Sequence, residues 1–246
     1  LLKLDARGKR VLFISDTHIP YSVSGYLDFL SDLKDRFKPD IIIHGGDEVD
    51  YHAISFHKSH AELYSAGHEL DKAIIEIQEG LHRLFPKLYL LESNHGSLVY
   101  RRLKHEGIPI RHLRPLHELY ETPLWEWHEK IKLLTDSGKV LVSHGRSAIA
   151  GAWAKAAGYS TVEFHYHTKF HATFFQSEDR QRFSMHCGCL ADRDSLAMAY
   201  AKPNMAEFIN GTAGLKRDGR PVLFPYDRKK YDLPSIPVGD YGTTTS

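Results

Sequence analysis

Asp16-Thr17-His18 follows directly on a short apolar run, Val11–Ser15, so a carboxylate and an imidazole emerge one residue apart where an extended segment ends. One hard oxygen and one imidazole at this spacing suit a divalent ion such as Mn²⁺, Fe²⁺, Co²⁺ or Zn²⁺. The pattern recurs along the chain. Ile41–His44 runs into Gly45-Gly46-Asp47-Glu48-Val49-Asp50, whose glycines let the backbone turn sharply and bring Asp47 close to whatever it binds. Lys87–Leu91 delivers Glu92-Ser93-Asn94-His95-Gly96, with an amide oxygen beside an imidazole. Lys139–Ser143 ends in His144-Gly145, and Thr161–Phe164 leads to His165-Tyr166-His167, where alternation puts both imidazoles on one side. Asp16, His18, Asp47, Asn94, His144, His165 and His167 thus stand at or near strand ends, where open α/β sheets place their ligands.

The elements that position these groups read as an α/β chain. Val11–Ser15 and Ile41–His44 are apolar without helical period, as buried strands are. Tyr26, Leu27, Phe29, Leu30, Leu33 and Phe37 mark an amphipathic helix that stops before Pro39. A second helix runs from Leu70 to Phe85 and ends at Pro86, and Ser97–His105 predicts a third. Ile131–Leu134 and Lys139–Ser143 flank Asp136-Ser137-Gly138 as a hairpin, and Lys169–Gln176 and Arg182–Cys187 continue the β pattern. Gly107–Glu129, with three prolines and two tryptophans, reads as a long loop crossing the sheet. Asp192–Tyr200 predicts a short helix and Val222–Phe224 a last strand. Residues 1–230 are expected to form one domain and 231–246 a loose tail rich in Pro, Gly and Thr.

Composition narrows the chemistry. The 246 residues carry 32 basic and 31 acidic side chains, without the basic excess of proteins that grip long duplex DNA through its phosphates. Partners are therefore expected to be small or locally bound. Seventeen histidines against two cysteines favour imidazole over thiol chemistry. Cys187 and Cys189 lack the second pair of a structural zinc site and read as small residues on a strand. His52, His57, His60 and His68 fit no single helical face, and of these only His52, beside the GDxxD stretch, is a candidate for function. No membrane span or signal peptide is read, and a cytoplasmic location is expected.

At this point the chain resembles the calcineurin-like metallophosphoesterases. Their signature runs D-x-H, G-D-x-x-D, G-N-H-E/D, H-G and G-H-x-H in that order. Gly46–His57 and Glu92–Arg101 look most like phage-encoded members. The resemblance implies a four-layer αββα sandwich of two mixed sheets, with a dinuclear metal site at one sheet edge. It assigns one ion to Asp16, His18 and His167 and the other to Asn94, His144 and His165, with Asp47 bridging. Mn²⁺ is the expected ion, with Co²⁺, Mg²⁺, Fe²⁺ and Zn²⁺ as alternatives. Such a pair lowers the pKa of a bridging water and neutralises phosphoryl oxygens. The resemblance makes His95 the catalytic group that stabilises the phosphoryl charge or protonates the leaving oxygen, and Asp50 the acceptor that orients a histidine. Ser93, Gly96 and Phe164 depart from the usual Gly, acid and Gly, and no ligand position is lost.

Phosphate esters follow as substrates. Balanced charge and aromatic residues able to stack a base (Tyr51, Phe56, Trp125, Trp127) favour a phosphomonoesterase acting on nucleoside or deoxynucleoside 5′-monophosphates. Arg146, Arg101 and His52 are candidate substrate-binding residues. A nuclease or cyclic-phosphodiester hydrolase is the alternative, and a non-catalytic binding module a third.

Overall fold

The computed structural model describes residues 1–56, 63–198 and 207–232. His57, His60 and the end of the expected helix Asp192–Tyr200 lie outside these, and so does the tail beyond residue 232. Twelve strands among the described residues form two six-stranded mixed sheets. One sheet contains β2 (Val11–Ile14), β3 (Ile41–His44), β4 (Leu88–Leu91) and β5 (Trp125–His128), all parallel, with β11 (Gly211–Leu215) and β12 (Pro221–Pro225) added antiparallel beside β2. The other has the order β1 (Leu2–Asp5), β6 (Ile131–Thr135), β7 (Gly138–Ser143), β8 (Ser160–Glu163), β10 (Gln181–Cys187) and β9 (Phe170–Gln176).

The strands at the centre are apolar on both faces because both faces are covered. Along β2, Val11 and Phe13 point between the sheets, where they meet Val140, Val142, Val162 and Phe164. Leu12 and Ile14 point the other way, into a layer with Phe29, Leu30, Leu33 and Ile77. That outer layer is the helix Tyr26–Phe37 and the long helical stretch that begins at Ala66–Glu76 and continues through a π-helical segment to Leu84. On the far side, the short helix Ala152–Ala157 packs against β8 and β10.

Three expectations change. Gly107–Glu129 is not all loop: Trp125–His128 is β5, paired in parallel with β4. Trp125 is buried and donates its indole N–H to the Phe85 carbonyl at 2.9 Å, while Trp127 donates to Glu48 Oε1 at 3.1 Å. Their rings serve packing rather than base stacking. Tyr51 is likewise buried, its hydroxyl 2.7 Å from that of Tyr120. Tyr231 also belongs to the folded body: it closes the one-turn helix Arg228–Tyr231 and packs edge-on against Phe29.

Candidate metal centre

The C-terminal ends of β2, β3, β4, β7 and β8 converge on one edge of the sandwich, bringing the seven expected ligand residues together. Three clusters result among the described residues: His18, Asp47 and His167; Asp47, His144 and His165; and His18, Asp50 and His95. Asp47 belongs to the first two, as a bridging ligand must. Its Oδ2 lies 3.6 Å from His18 Nε2 and 3.2 Å from His144 Nε2. Asp16 stands beneath both halves, with Oδ2 at 3.4 Å from His167 Nε2 and Oδ1 at 3.9 Å from His144 Nδ1. Asn94 Oδ1 is 2.7 Å from His144 Nε2.

The backbone is bent to achieve this. His18, Asp47 and His165 all adopt left-handed conformations, with φ of 50°, 50° and 72°. Such geometry costs a non-glycine residue about 1 kcal/mol or more and persists where surrounding bonds over-determine it. Here His18 N–H donates to the Asp47 carbonyl at 2.8 Å, His165 N–H to Asp16 Oδ2 at 2.7 Å, and His95 N–H to Asp47 Oδ1 at 3.0 Å. Gly45 is required by packing: a Cβ there would lie 2.2 Å from the Phe164 ring, the bulky residue that precedes His165. Ser93, in the place of the usual glycine, accepts from the N–H groups of Asp47 at 2.8 Å and Gly96 at 3.1 Å.

The imidazoles are set for metal binding by what their other nitrogens do. His18 Nδ1 donates to Asp50 Oδ1 at 2.6 Å, and His144 Nδ1 to the Gly45 carbonyl at 2.8 Å. Both therefore turn Nε2 toward Asp47. His18 Nε2 also stands 3.2 Å from His167 Nε2, two nitrogens facing each other across a space that a cation would share. Asp16 Oδ1 and Asp50 Oδ2 are buried without a hydrogen-bond partner. Burial alone would depress the His144 pKa, but Asp47 and Asp16 outweigh it and hold the group up at about 9. Asp47 at Nε2 and Asp16 on the Nδ1 side make the surroundings of this ring favourable to positive charge, which a divalent ion also supplies. The donor set of carboxylates, imidazoles and one amide oxygen suits two such ions.

A cavity of about 530 Å³ opens beside this cluster. His18, Asp47, Asn94, His95, His165 and His167 form its floor; His52, Ser55, Phe56, Leu98, Arg101, Thr168, Met198 and Phe208 form its walls. His95 Nδ1 donates to the Asp50 carbonyl at 2.5 Å, leaving Nε2 for the cavity. Burial would lower the His95 pKa, but the charges of Asp47 and Asp50 outweigh it and raise it. Asp50 serves His18 directly and also lies 3.3 Å from His95 Nδ1.

Two of the three expected substrate contacts, Arg101 and His52, line the cavity. Arg146 does not; its guanidinium reaches Glu129 at 3.4 Å. Supporting residues that no motif marks complete the walls. Glu69 accepts the N–H groups of His52 and Ala53 at 2.7 and 2.8 Å, and Arg102 donates to the carbonyls of Ile54 and Ser55. Arg102 also lies 4.0 Å from the Phe56 ring centre. The turn that carries His52 and Phe56 is thus clamped from both sides. Cys187 and Cys189 are buried free thiols and belong to none of the three clusters.

No helix among the described residues is long and apolar enough to cross a membrane. No curated protein matches the chain. Solved structures similar to it include a single mutant of Vps29 from Entamoeba histolytica (10% identity, covering 89% of this chain and 99% of that one, TM-score 0.43). Others are Yfce, a phosphoesterase from E. coli (13%, 89% and 100%, 0.38), and a metallophosphoesterase from Sphaerobacter thermophilus (14%, 90% and 91%, 0.44). Residues 9–196 match the sequence profile described as Calcineurin-like phosphoesterase. That match spans every residue of the candidate centre, and the chain belongs to the calcineurin-like phosphoesterase family, whose activity is dinuclear-metal hydrolysis of phosphate esters.

Proposed function

We propose that this protein is a phosphomonoesterase that releases phosphate from nucleoside or deoxynucleoside 5′-monophosphates, with Mn²⁺ as the working ion. The observation that carries the reading is the contrast within one cavity. Its floor is a cluster of imidazoles and carboxylates, and its outer wall is apolar and aromatic, through Phe56, Leu98, Met198 and Phe208, with Arg101 as a cation. A phosphate on the floor puts its leaving group against that wall, where a base stacks on an aromatic face.

Asp16, His18 and His167 would hold one ion, Asn94, His144 and His165 the other, with Asp47 shared. The ions would supply charge neutralisation and an activated water. The chain's own contribution is orientation and proton delivery. Asp50 fixes the His18 tautomer, and Arg101, which donates to the Asn94 carbonyl at 2.6 Å, stands at the entrance as a contact for an anionic group. His95 is proposed to hold a proton at Nε2 and pass it to the leaving oxygen, its Nδ1 being committed to Asp50.

The test is phosphate release by the Mn²⁺-loaded protein from ribo- and deoxyribonucleoside 5′-monophosphates, with a bis-ester and duplex DNA in parallel. Release from the monophosphates that disappears in Asp47→Asn supports the reading. Cleavage confined to the bis-ester or DNA replaces it with a phosphodiesterase.

A further inference from the structure

His44 is fully buried at the end of β3, and no motif of the family assigns it a task. Its ring joins two loops that each carry ligands. Nδ1 accepts the Gly46 N–H at 3.1 Å, one residue before the shared Asp47. An acceptor nitrogen bears no proton, so the proton of the neutral ring sits on Nε2. Nε2 lies 3.2 Å from the hydroxyl of Thr17, the residue between Asp16 and His18, and donates to it. The Thr17 hydroxyl in turn donates to the Glu48 carbonyl at 3.0 Å. Every donor and acceptor in this relay, from Gly46 through His44 and Thr17 to Glu48, is used once and in one direction.

We propose that His44 is a positioning residue for the metal pair: its two ring nitrogens fix the separation between the Asp16–His18 loop and the Asp47 loop. The inference rests on the assignment of Asp16, His18 and Asp47 as ligands. The backbone bond from His18 N–H to the Asp47 carbonyl aligns the two loops along one edge, and the His44–Thr17 relay holds them from beneath. Without it, the buried Gly46 N–H loses its acceptor and the Thr17 hydroxyl keeps only the Glu48 carbonyl, and the loops shift to satisfy the orphaned N–H. Partners behind metal ligands are worth about 10–100-fold in metal affinity.

Two isosteres separate the two halves of the ring. Asn at position 44 keeps an acceptor oxygen near the place of Nδ1, and Gln keeps an amide donor near the place of Nε2. The experiment is Mn²⁺ binding to the metal-free full chain, read by electron paramagnetic resonance of free Mn²⁺, for the wild type and for His44→Leu, His44→Asn, His44→Gln and Thr17→Val. We expect His44→Leu to weaken binding about 10–100-fold. His44→Asn and His44→Gln should each recover part of the loss, and Thr17→Val should lose affinity while cancelling the recovery by Gln. Thr17→Val removes only the middle hydroxyl, so it carries the test if His44→Leu does not fold. Wild-type affinity in Thr17→Val, or equal losses in all three His44 variants, overturns the proposal. Absence of Mn²⁺ binding in the wild type itself overturns the ligand assignment instead.

Discussion

His18 donates its Nδ1 proton to Asp50 at 2.6 Å and thereby faces His167 with a bare Nε2, 3.2 Å from the other ring's Nε2. With the His18 nitrogen an acceptor, the contact is favourable when His167 supplies a proton or when a cation lies between the rings. The same carboxylate therefore decides both the tautomer of a ligand and the charge that the space beside it accepts.

Asp50→Asn should weaken binding at this half of the centre by about 10–100-fold, because a neutral amide oxygen is a weaker acceptor for His18 Nδ1–H than the carboxylate and no longer raises the basicity of the ring. Isothermal titration with Mn²⁺ checks this. The His144 half, held by the Gly45 carbonyl, should keep its affinity. Equal weakening of both ions would place Asp50 in a different role.

Metal should stabilise the fold. The strand ends bring buried carboxylates and imidazoles together, three of the candidate ligands on left-handed backbone, and a bound cation would offset the repulsion among the carboxylates. At a concentration 100 times the dissociation constant, one bound ion adds about 2.7 kcal/mol. Thermal melts in Mn²⁺ and in chelator should differ by several degrees, and the difference should shrink in Asp47→Asn.

Burial holds the His44 pKa down at about 4, against 6.5 in an unstructured chain. Between these values the unfolded chain binds the extra proton, so the contribution of His44 to stability falls as pH drops through this window. The slope reaches about 1.4 kcal/mol per pH unit. Burial also raises Glu48 to about 7, which acts in the opposite sense over this range, so the test is the difference between two proteins. Urea titrations from pH 7 to pH 4 should show stability falling more, or rising less, on acidification in the metal-free wild type than in His44→Gln. Identical pH slopes in the two would contradict the assignment.

Phe56→Ala should raise KM for a 5′-mononucleotide about tenfold, the worth of one stacked base, with little change for a small aliphatic phosphate. Arg102→Gln should do the same indirectly, because Arg102 holds the turn beneath Phe56 and touches no candidate ligand. Steady-state kinetics on both substrates separate a leaving-group effect from damage to the metal centre.

The candidate ligand set stood out because its members follow short segments that read as strands, Val11–Ile14 and residues 41–43 being wholly apolar. β5 and β11 were not legible. The prolines and turns around Trp125–His128 disguise an edge strand, and Gly211–Leu215 contains two glycines that weaken any local preference for strand. Tertiary contact explains the second case, for a Cβ on Gly214 would lie 2.8 Å from the Val11 carbonyl and 3.0 Å from the Phe37 ring. The walls of the cavity escaped for a related reason. Glu69 and Arg102 act on backbone groups distant in sequence, and Phe208 meets His167 only through the fold. His44 did leave a trace, as the one polar residue ending an otherwise apolar strand.

The most direct test of the account is a titration of metal-free protein with Mn²⁺, following phosphate release from a deoxynucleoside 5′-monophosphate against ions bound per chain. Activity should saturate at two ions and be abolished in Asp47→Asn, where the shared ligand is lost. Full activity at one ion, or activity that survives in Asp47→Asn, would contradict the account.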